Sequence, residues 1–99
     1  MAVFSQTTLR VHPGQRDAAL DAVRGERMFE TCANAIPGFI HGSLLASRAD
    51  ADALCLIAEW ADEASFREWL SHPLRAAQEE RLAPFYADTP AFVLFDCID

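Results

Sequence analysis

The chain has 99 residues, a length that suits one domain with a single core. Its hydrophobic fraction is 52%, which is typical of a folded globular protein and argues against disorder. A net charge of −7 argues against nucleic-acid binding, because phosphate contacts need clustered basic side chains. No apolar run is long enough to span a bilayer and no signal peptide is evident, so we expect no membrane partner.

The residues that could carry redox or metal chemistry show no cofactor pattern. Cys32, Cys55 and Cys97 are odd in number and form no Cys-x-x-Cys pair, so they predict neither a zinc site nor a redox dithiol. Each lies in an apolar segment, which favours buried free thiols and a cytoplasmic location. The chain also has no Gly-rich phosphate loop and no cluster of His, Asp and Glu at metal-ligand spacing. We therefore predict no metal and no cofactor.

The first half of the chain predicts the order β-α-β-β. The alternating segment AVFSQTTLRV predicts a strand over Ala2–Val11. Apolar residues at spacings of three and four predict one helix over Gln15–Ala35, which Pro37-Gly38 terminates. Two further strands are predicted at Phe39–Ser47 and Ala53–Trp60, with a polar turn between them.

The second half adds a helical segment and a strand. Asp62 suits the N-cap of a helix, Pro73 splits this helix in two, and its second part runs to Leu82. The segment AFVLFDCI predicts a last strand over Ala91–Ile98. The order β-α-β-β-α-β predicts an α+β, ferredoxin-like fold in one domain over residues 1–99, with a four-stranded antiparallel sheet and helices on one face.

The third and fourth strands are apolar on both faces, whereas a sheet with one wet face alternates apolar and polar residues. Two helical segments cover only one face, and an open apolar surface of this size is uncommon on a monomer. We therefore expect a homodimer whose sheets pack face to face, which also shelters the edge strands.

Two segments carry a resemblance to a known family. PGFIHGSLL (37–45) and LCLIAEWADEASFREWLSHPLRAA (54–77) resemble the antibiotic biosynthesis monooxygenase family of small dimeric α+β barrels. The family pattern has Pro-Gly-Phe at the start of strand two, a strand that ends in Trp, an acidic helix cap and an aromatic residue on the next helix. The resemblance covers Val3–Phe95 and implies a dimeric α+β barrel. The family it points to includes cofactor-free aromatic oxygenases, haem-degrading enzymes and members without an assigned reaction.

The resemblance disfavours haem degradation. The haem-degrading branch uses an Asn on strand one, a second Trp, and a His on the last helix as the iron ligand. Trp69 matches this Trp, but the Asn position falls on Thr7 and the His position falls on Glu79. A carboxylate is a poor replacement for a proximal imidazole on haem iron.

The cofactor-free oxygenases of the family share the strand-three Trp, here Trp60. They oxidise phenols, anthrone-type rings of polyketides, or quinols. The resemblance implies a substrate that loses a proton to give a carbanion, which the protein shields while oxygen reacts. An Asn and a Tyr that some members place near this Trp are Leu56 and Phe66 here, so the proton-handling group is not identified.

Three residues are candidates for catalysis: His41, His72 and Trp69. His41 lies mid-strand and is expected to share a face with Phe39, where an imidazole needs a hydrogen-bond partner or a ligand. His72, next to Pro73, either caps a helix or acts as a general base, because an imidazole titrates near neutral pH. Trp69 either lines a cavity or packs in the core or the dimer interface.

The candidate substrate contacts are Ser5, Thr7, Phe39, Trp60, Phe66 and Tyr86. The hydroxyls of Ser5 and Thr7 could orient a substrate oxygen, and Tyr86 could close one end of a pocket. For Trp60, packing against the following helix is the alternative to substrate contact. Glu79-Glu80 is interpreted as a solvated helix face.

The expected function is a cofactor-independent monooxygenase that oxidises a small aromatic, quinol or polyketide-derived substrate with O2. The alternatives on the same fold are a non-redox polyketide cyclase and a dimeric small-ligand-binding protein.

Overall fold

Four strands and four helices make up the chain, and the computed structural model describes all of it, Met1–Asp99. In chain order the elements are β1 (Val3–Arg10), α1 (Arg16–Gly25), α2 (Met28–Ala35), β2 (Phe39–Ala46), β3 (Ala53–Trp60), α3 (Glu63–Leu70), α4 (Pro73–Leu82) and β4 (Ala91–Asp96), with a short 3-10 turn, Ala83–Phe85, after α4. The strands form one antiparallel sheet in the order β2-β3-β1-β4. This confirms the predicted α+β, ferredoxin-like fold.

The sheet has two faces because successive side chains of a strand point to opposite sides. The face covered by the helices, here called the inner face, carries Val3, Ser5, Thr7 and Leu9 of β1 and Leu54, Leu56, Ala58 and Trp60 of β3. The opposite face, here called the outer face, carries Phe4, Gln6, Thr8 and Arg10 of β1, Cys55, Ile57 and Glu59 of β3, and Ala91, Val93 and Phe95 of β4. The buried core lies between the inner face and the helices, with Trp60, Leu9, Ile36, Leu54 and Leu82 among its least exposed members.

The single helix predicted over Gln15–Ala35 is wrong, because the helix breaks between α1 and α2. Arg27 adopts the left-handed region, with φ 51° and ψ 46°. Contacts from α4 hold this break: the Gln78 amide donates to the Glu26 carbonyl at 3.1 Å, and the Arg81 guanidinium binds the Glu26 carboxylate with two hydrogen bonds. The apolar stripe continues across the break, so periodicity alone does not reveal it.

The corner between β3 and the helices follows the sequence prediction. Asp62 is the N-cap of α3, and its carboxylate accepts hydrogen bonds from the Ser65 amide at 2.9 Å and the Ser65 hydroxyl at 2.7 Å. These bonds hold the pKa of Asp62 below its ordinary value. Pro73 occupies the first turn of α4, where its missing N–H costs no helical hydrogen bond. His72 caps that helix, since its Nδ1 accepts from the Leu74 amide at 3.1 Å.

A β-bulge in β2 corrects the predicted position of His41. The pairing with β3 shifts between Phe39 and His41, so that Phe39 pairs with Trp60 and His41 with Glu59. The extra residue, Ile40, moves every later side chain of the strand to the other face. Phe39 therefore lies on the inner face and His41 on the outer face, and the expectation that they share a face is wrong.

The outer face leaves several large apolar side chains uncovered. Val93 is 52% exposed and Phe95 is 53% exposed, and Leu45 on β2 is 44% exposed. Their neighbours Phe4 and Ile57 are half-buried. The two-sided apolar sheet inferred from the sequence is thus present in the folded chain. None of the helices has the length and apolarity that a bilayer crossing requires.

Candidate functional site

A cavity lies between the inner face of the sheet and helices α2, α3 and α4. Seventeen residues line it, and twelve of these are hydrophobic. It contains about 610 Å3 of space, part of it open to solvent, and its lining is mainly apolar.

Five of the lining residues form a continuous series of aromatic rings, here called the aromatic wall: Phe29, Phe39, Trp60, Phe66 and Phe92. Neighbouring ring centroids along this series are separated by 6.2, 5.3, 5.7 and 5.0 Å. The first contact is stacked and the other three are edge-to-face, the arrangements that aromatic quadrupoles favour. The series extends from α2 across the sheet to β4, where Phe92 is 39% exposed. The Arg67 guanidinium lies 5.6 Å from the centroid of the Phe92 ring.

The aromatic wall depends on close approach of α2 to β2. A Cβ atom added at Gly42 would lie 2.3 Å from Cδ1 of Phe29. Only glycine leaves room for the Phe29 ring at this position. The identity of residue 42 therefore helps to set where the first ring of the wall lies.

A buried hydrogen bond fixes the central ring. The Trp60 indole Nε1–H donates to the Ser5 hydroxyl oxygen at 3.0 Å, and both residues are at least nine-tenths buried. Because Ser5 acts as acceptor here, its own O–H stays available as a donor. Thr7, two residues further along β1, adds a second hydroxyl to the same wall. The cavity is thus apolar with a small polar strip on β1.

The ionisable end of the cavity is formed by Arg75 and Glu79, one turn apart on α4. Burial raises the pKa of Glu79 above its ordinary value, and the positive charge of Arg75 opposes this shift. Arg75 also donates to the Leu70 carbonyl at 3.4 Å, at the end of α3. The Cys32 thiol lines the cavity too, but burial raises its pKa to about 12, so it stays protonated near neutral pH.

Tyr86 lies beside this end without lining the cavity. An isolated bridge to Val11 holds its backbone at the end of β1, and its hydroxyl is buried without a hydrogen-bond partner. Burial, followed by the negative charge of Glu79, raises the pKa of Tyr86, so the phenol remains a donor. Tyr86 and Glu79 both line a second, more open groove between α4 and the segment before β4, here called the α4 groove.

Six of the nine candidate site residues line the cavity, and three do not. Those brought together are Ser5, Thr7, Phe39, Trp60, Phe66 and Trp69. His41 is exposed on the outer face because of the bulge at Ile40. The His72 imidazole caps α4 and stacks on the back of Trp69, with 5.8 Å between ring centroids. No histidine is among the residues that line this cavity, and Tyr86 lies next to it.

Both charged residues that line the cavity, Arg75 and Glu79, were missed as site residues in the sequence. The interpretation of Glu79-Glu80 as a solvated face holds for exposed Glu80 and not for half-buried Glu79. The resemblance contained a usable signal, because it aligned Glu79 with a position whose side chain faces a ligand. The spacing of four from Arg75 to Glu79 is a second signal, since it places both residues on one side of a helix.

The sequence profile of the antibiotic biosynthesis monooxygenase family matches residues 2–80. The chain belongs to this family, and the match supports a general monooxygenase-type function. Among curated protein sequences, none matches the chain significantly.

Solved structures agree on the fold at low sequence identity. SnoaB, a cofactor-independent oxygenase from Streptomyces nogalater, is 23% identical with a TM-score of 0.78, over 99% of this chain and 94% of SnoaB. A proposed antibiotic biosynthesis monooxygenase from Nitrosomonas europaea is 13% identical with a TM-score of 0.83, over 98% of this chain and 90% of its own. Another from Caulobacter crescentus CB15 is 14% identical with a TM-score of 0.83, over 99% and 91%.

Proposed function

We propose that the protein is a cofactor-independent monooxygenase that oxidises a small aromatic, quinol or polyketide-derived anthrone-type substrate with O2. Family membership supports the reaction class, and the description of SnoaB as a cofactor-independent oxygenase supports the absence of a cofactor. The observation that carries the proposal is the aromatic wall, whose five rings are in contact with one another and line an apolar cavity. Planar aromatic substrates gain from stacking and edge contacts with such a wall.

The proposed reaction starts with loss of a proton from the substrate. The resulting carbanion is delocalised over the ring system and transfers an electron to O2, after which a C–O bond forms. The hydroperoxide that results loses water, so one anthrone and one O2 give one anthraquinone and one water. The enclosed apolar walls keep bulk water from reprotonating the carbanion. Ser5 and Thr7 would orient a substrate oxygen, and Trp69, Phe39, Trp60 and Phe66 would contact the rings.

We also infer that two copies of the chain pack through their outer faces. The support is the exposed apolar surface around Val93, Phe95 and Leu45, which a monomer would leave in water. Face-to-face packing of two sheets would cover these side chains and the residues between them. Sedimentation equilibrium at micromolar concentration tests this inference. A single sedimenting subunit would contradict it.

We propose a cytoplasmic location for this activity. The three cysteines are free thiols, which suits a reducing compartment. Fractionation of the source cells with an antibody against the protein tests this placement, and recovery outside the cytoplasmic fraction would contradict it.

The second candidate function is a non-redox cyclase. The carboxylate of Glu79 and the guanidinium of Arg75 at one end of the cavity favour it, because an aldol cyclisation needs proton transfer and oxyanion stabilisation but no oxygen. Turnover of a polyketide-type substrate under argon would support the cyclase and contradict the monooxygenase. A pure ligand-binding role predicts a raised melting temperature with ligand and no conversion in either atmosphere.

Oxygen uptake tests the monooxygenase directly. We expect the purified protein to accelerate O2 consumption by dithranol (a dihydroxyanthrone) or by anthrone, with formation of the matching anthraquinone and one water per O2. The Trp69→Ala variant should lose this acceleration while the oligomeric state is unchanged, whereas Glu68→Gln, an exposed change one residue earlier, should keep it. Wild-type protein that consumes O2 no faster than buffer with either substrate would contradict the proposal. If Trp69→Ala dissociates or unfolds, this indole serves packing.

A further inference from the structure

The cavity holds one side chain that can accept a proton near neutral pH. Among its polar lining groups, Arg75 is a donor only, and the Ser5 and Thr7 hydroxyls are far too weakly basic. The buried Cys32 thiol is protonated, with a pKa of about 12. The three histidines lie elsewhere: His12 in the loop after β1, His41 on the outer face and His72 at the start of α4. The Glu79 carboxylate is the group that remains.

The surroundings of Glu79 suit proton transfer. No protein group hydrogen-bonds to its carboxylate, so both oxygens are free to contact a ligand. Its pKa is raised by burial, which makes it a stronger base than an exposed carboxylate. The charged and titratable groups near it are Arg75 on the same helix, Tyr86 after the 3-10 turn, and Glu80 and Asp88, which line the α4 groove.

We propose that Glu79 is the catalytic base of the cavity and that Arg75 stabilises the oxyanion formed when the substrate loses its proton. This inference rests on the proposed function, and it adds that the substrate places an acidic C–H or O–H at the α4 end while its rings lie on the aromatic wall. In the step, the C–H bond breaks, the electron pair stays on the substrate, and the proton binds a Glu79 oxygen. Glu79 then returns that proton to the peroxide oxygen formed with O2, which gives the hydroperoxide and restores the carboxylate. The hydroperoxide loses its remaining C–H hydrogen and its terminal hydroxyl as water, which leaves the quinone carbonyl.

The charge arrangement explains why these two residues act together. A guanidinium offers several N–H donors in one plane, and the Arg75 side chain is engaged in the chain only through the long bond to the Leu70 carbonyl. The remaining donors can bind an enolate or phenolate oxygen as negative charge develops there. Proton removal by Glu79 and charge stabilisation by Arg75 then occur on the same side of a planar substrate.

The test separates proton removal from oxidation. Under argon, exchange of the acidic methylene protons of dithranol with deuterated buffer reports proton abstraction alone. In air, O2 uptake reports the complete reaction. We compare wild type, Glu79→Gln, Glu79→Asp and Glu80→Gln, the last being a matched change at the exposed neighbour. Binding of the anthraquinone product, followed by quenching of Trp60 and Trp69 fluorescence, shows whether each variant keeps its cavity.

Glu79→Gln should lower both rates by about 10²- to 10⁴-fold, the usual contribution of a general base. It should bind the anthraquinone as wild type does, and Glu79→Asp should recover part of the loss. Glu80→Gln should behave as wild type. The wild-type rates should fall as the pH drops through the Glu79 pKa, and this acid limb should be missing from Glu79→Gln.

Each other result is decisive. Unchanged rates and an unchanged acid limb in Glu79→Gln would overturn Glu79 as base while the monooxygenase stands. Lost anthraquinone binding in Glu79→Gln would reassign Glu79 to a structural or binding role. If the wild type catalyses exchange under argon and Glu79→Gln does not, but neither protein takes up O2 in air, the result would support Glu79 as base and overturn the monooxygenase. Neither exchange nor uptake by the wild type would overturn both.

Discussion

The inner and outer faces of the sheet are both rich in large apolar side chains, but they differ in the burial of their polar side chains. On β1 the inner face buries Ser5, whose hydroxyl accepts from Trp60. On the outer face of the same strand, the Thr8 side chain is exposed. A buried polar group costs free energy unless it is hydrogen-bonded, so its presence marks a surface that stays enclosed. The inner face is thus already buried within the single chain, whereas the outer face has the composition of a contact surface.

The largest expected effect is on the inner face. Trp60 is 2% exposed and contacts two other rings of the aromatic wall. We expect Trp60→Ala to lower the free energy of unfolding by about 3–5 kcal/mol, the range for large aromatic side chains removed from a core. Urea denaturation measures this loss. Ile98→Ala, at a side chain that is 86% exposed, is the control and should change stability by less than about 0.5 kcal/mol. Equal losses in the two variants would erase the distinction between the interior and the surface.

A charged side chain placed on the outer face tests whether two chains pack through it. Phe95 is 53% exposed in the single chain and lies among apolar neighbours. If two outer faces pack together, Phe95→Glu should raise the dimer dissociation constant at least about thirtyfold, since a side chain central to an interface contributes about 2 kcal/mol or more. Sedimentation equilibrium measures the constant, with Asn34→Glu, an exposed change on the helical side, as the control. A variant that associates as tightly as wild type would place the contact elsewhere.

The sequence predicts the element order and most of the aromatic wall, because both follow from local patterns. Strand alternation places Ser5 and Thr7 on one face, and the wall residues Phe39, Trp60 and Phe66 lie in the segments that resemble the family. The failures come from non-local geometry. One bulged residue at Ile40 moves His41 to the outer face, and no feature of PGFIHGSLL distinguishes this bulge from regular alternation.

The helical layer shows the same limit. The break at Arg27 is held by Gln78 and Arg81, which lie more than fifty residues further along the chain. Local periodicity contains no information about such contacts. The rotation of α4 about its own axis is likewise set by packing. Glu79 is therefore half-buried and lines the cavity, whereas the adjacent Glu80 is exposed.

Gly42→Ala sharpens the comparison at the edge of the inner face. The added methyl group would collide with the Phe29 ring and displace the first ring of the wall. We expect a loss of about 1–3 kcal/mol in the free energy of unfolding, as for other overpacked interiors. An added methyl group at Gly25, in α1, would meet open space. Gly25→Ala should therefore raise the free energy of unfolding by about 0.5–1 kcal/mol. The melting temperatures of the two variants, measured by thermal unfolding, should therefore shift in opposite directions from that of the wild type. A neutral Gly42→Ala would show that α2 moves aside easily.

Ser5→Ala compares the two faces along a single strand. It removes the acceptor of the Trp60 indole N–H and leaves that buried donor without a partner, which costs about 1–3 kcal/mol. Thr8→Ala removes a hydroxyl of similar size from the exposed side of β1 and should cost less than about 0.5 kcal/mol. Chemical denaturation measures both, and the Trp60 fluorescence maximum should shift in Ser5→Ala alone. Equal costs for the two changes would show that the buried hydroxyl adds nothing to the fold.

Tyr86→Phe is expected to have the smallest effect and the opposite sign. The Tyr86 hydroxyl is buried without a partner, so its removal relieves a desolvation cost and should raise the free energy of unfolding by about 1 kcal/mol or less. Gln78→Met is the contrasting change: Gln78 is also buried with one unpaired oxygen, but its amide donates to the Glu26 carbonyl at the helix break. Its loss should therefore destabilise the chain. Thermal unfolding distinguishes the two. If Tyr86→Phe instead lowers stability, a water molecule pairs with this hydroxyl in the folded chain.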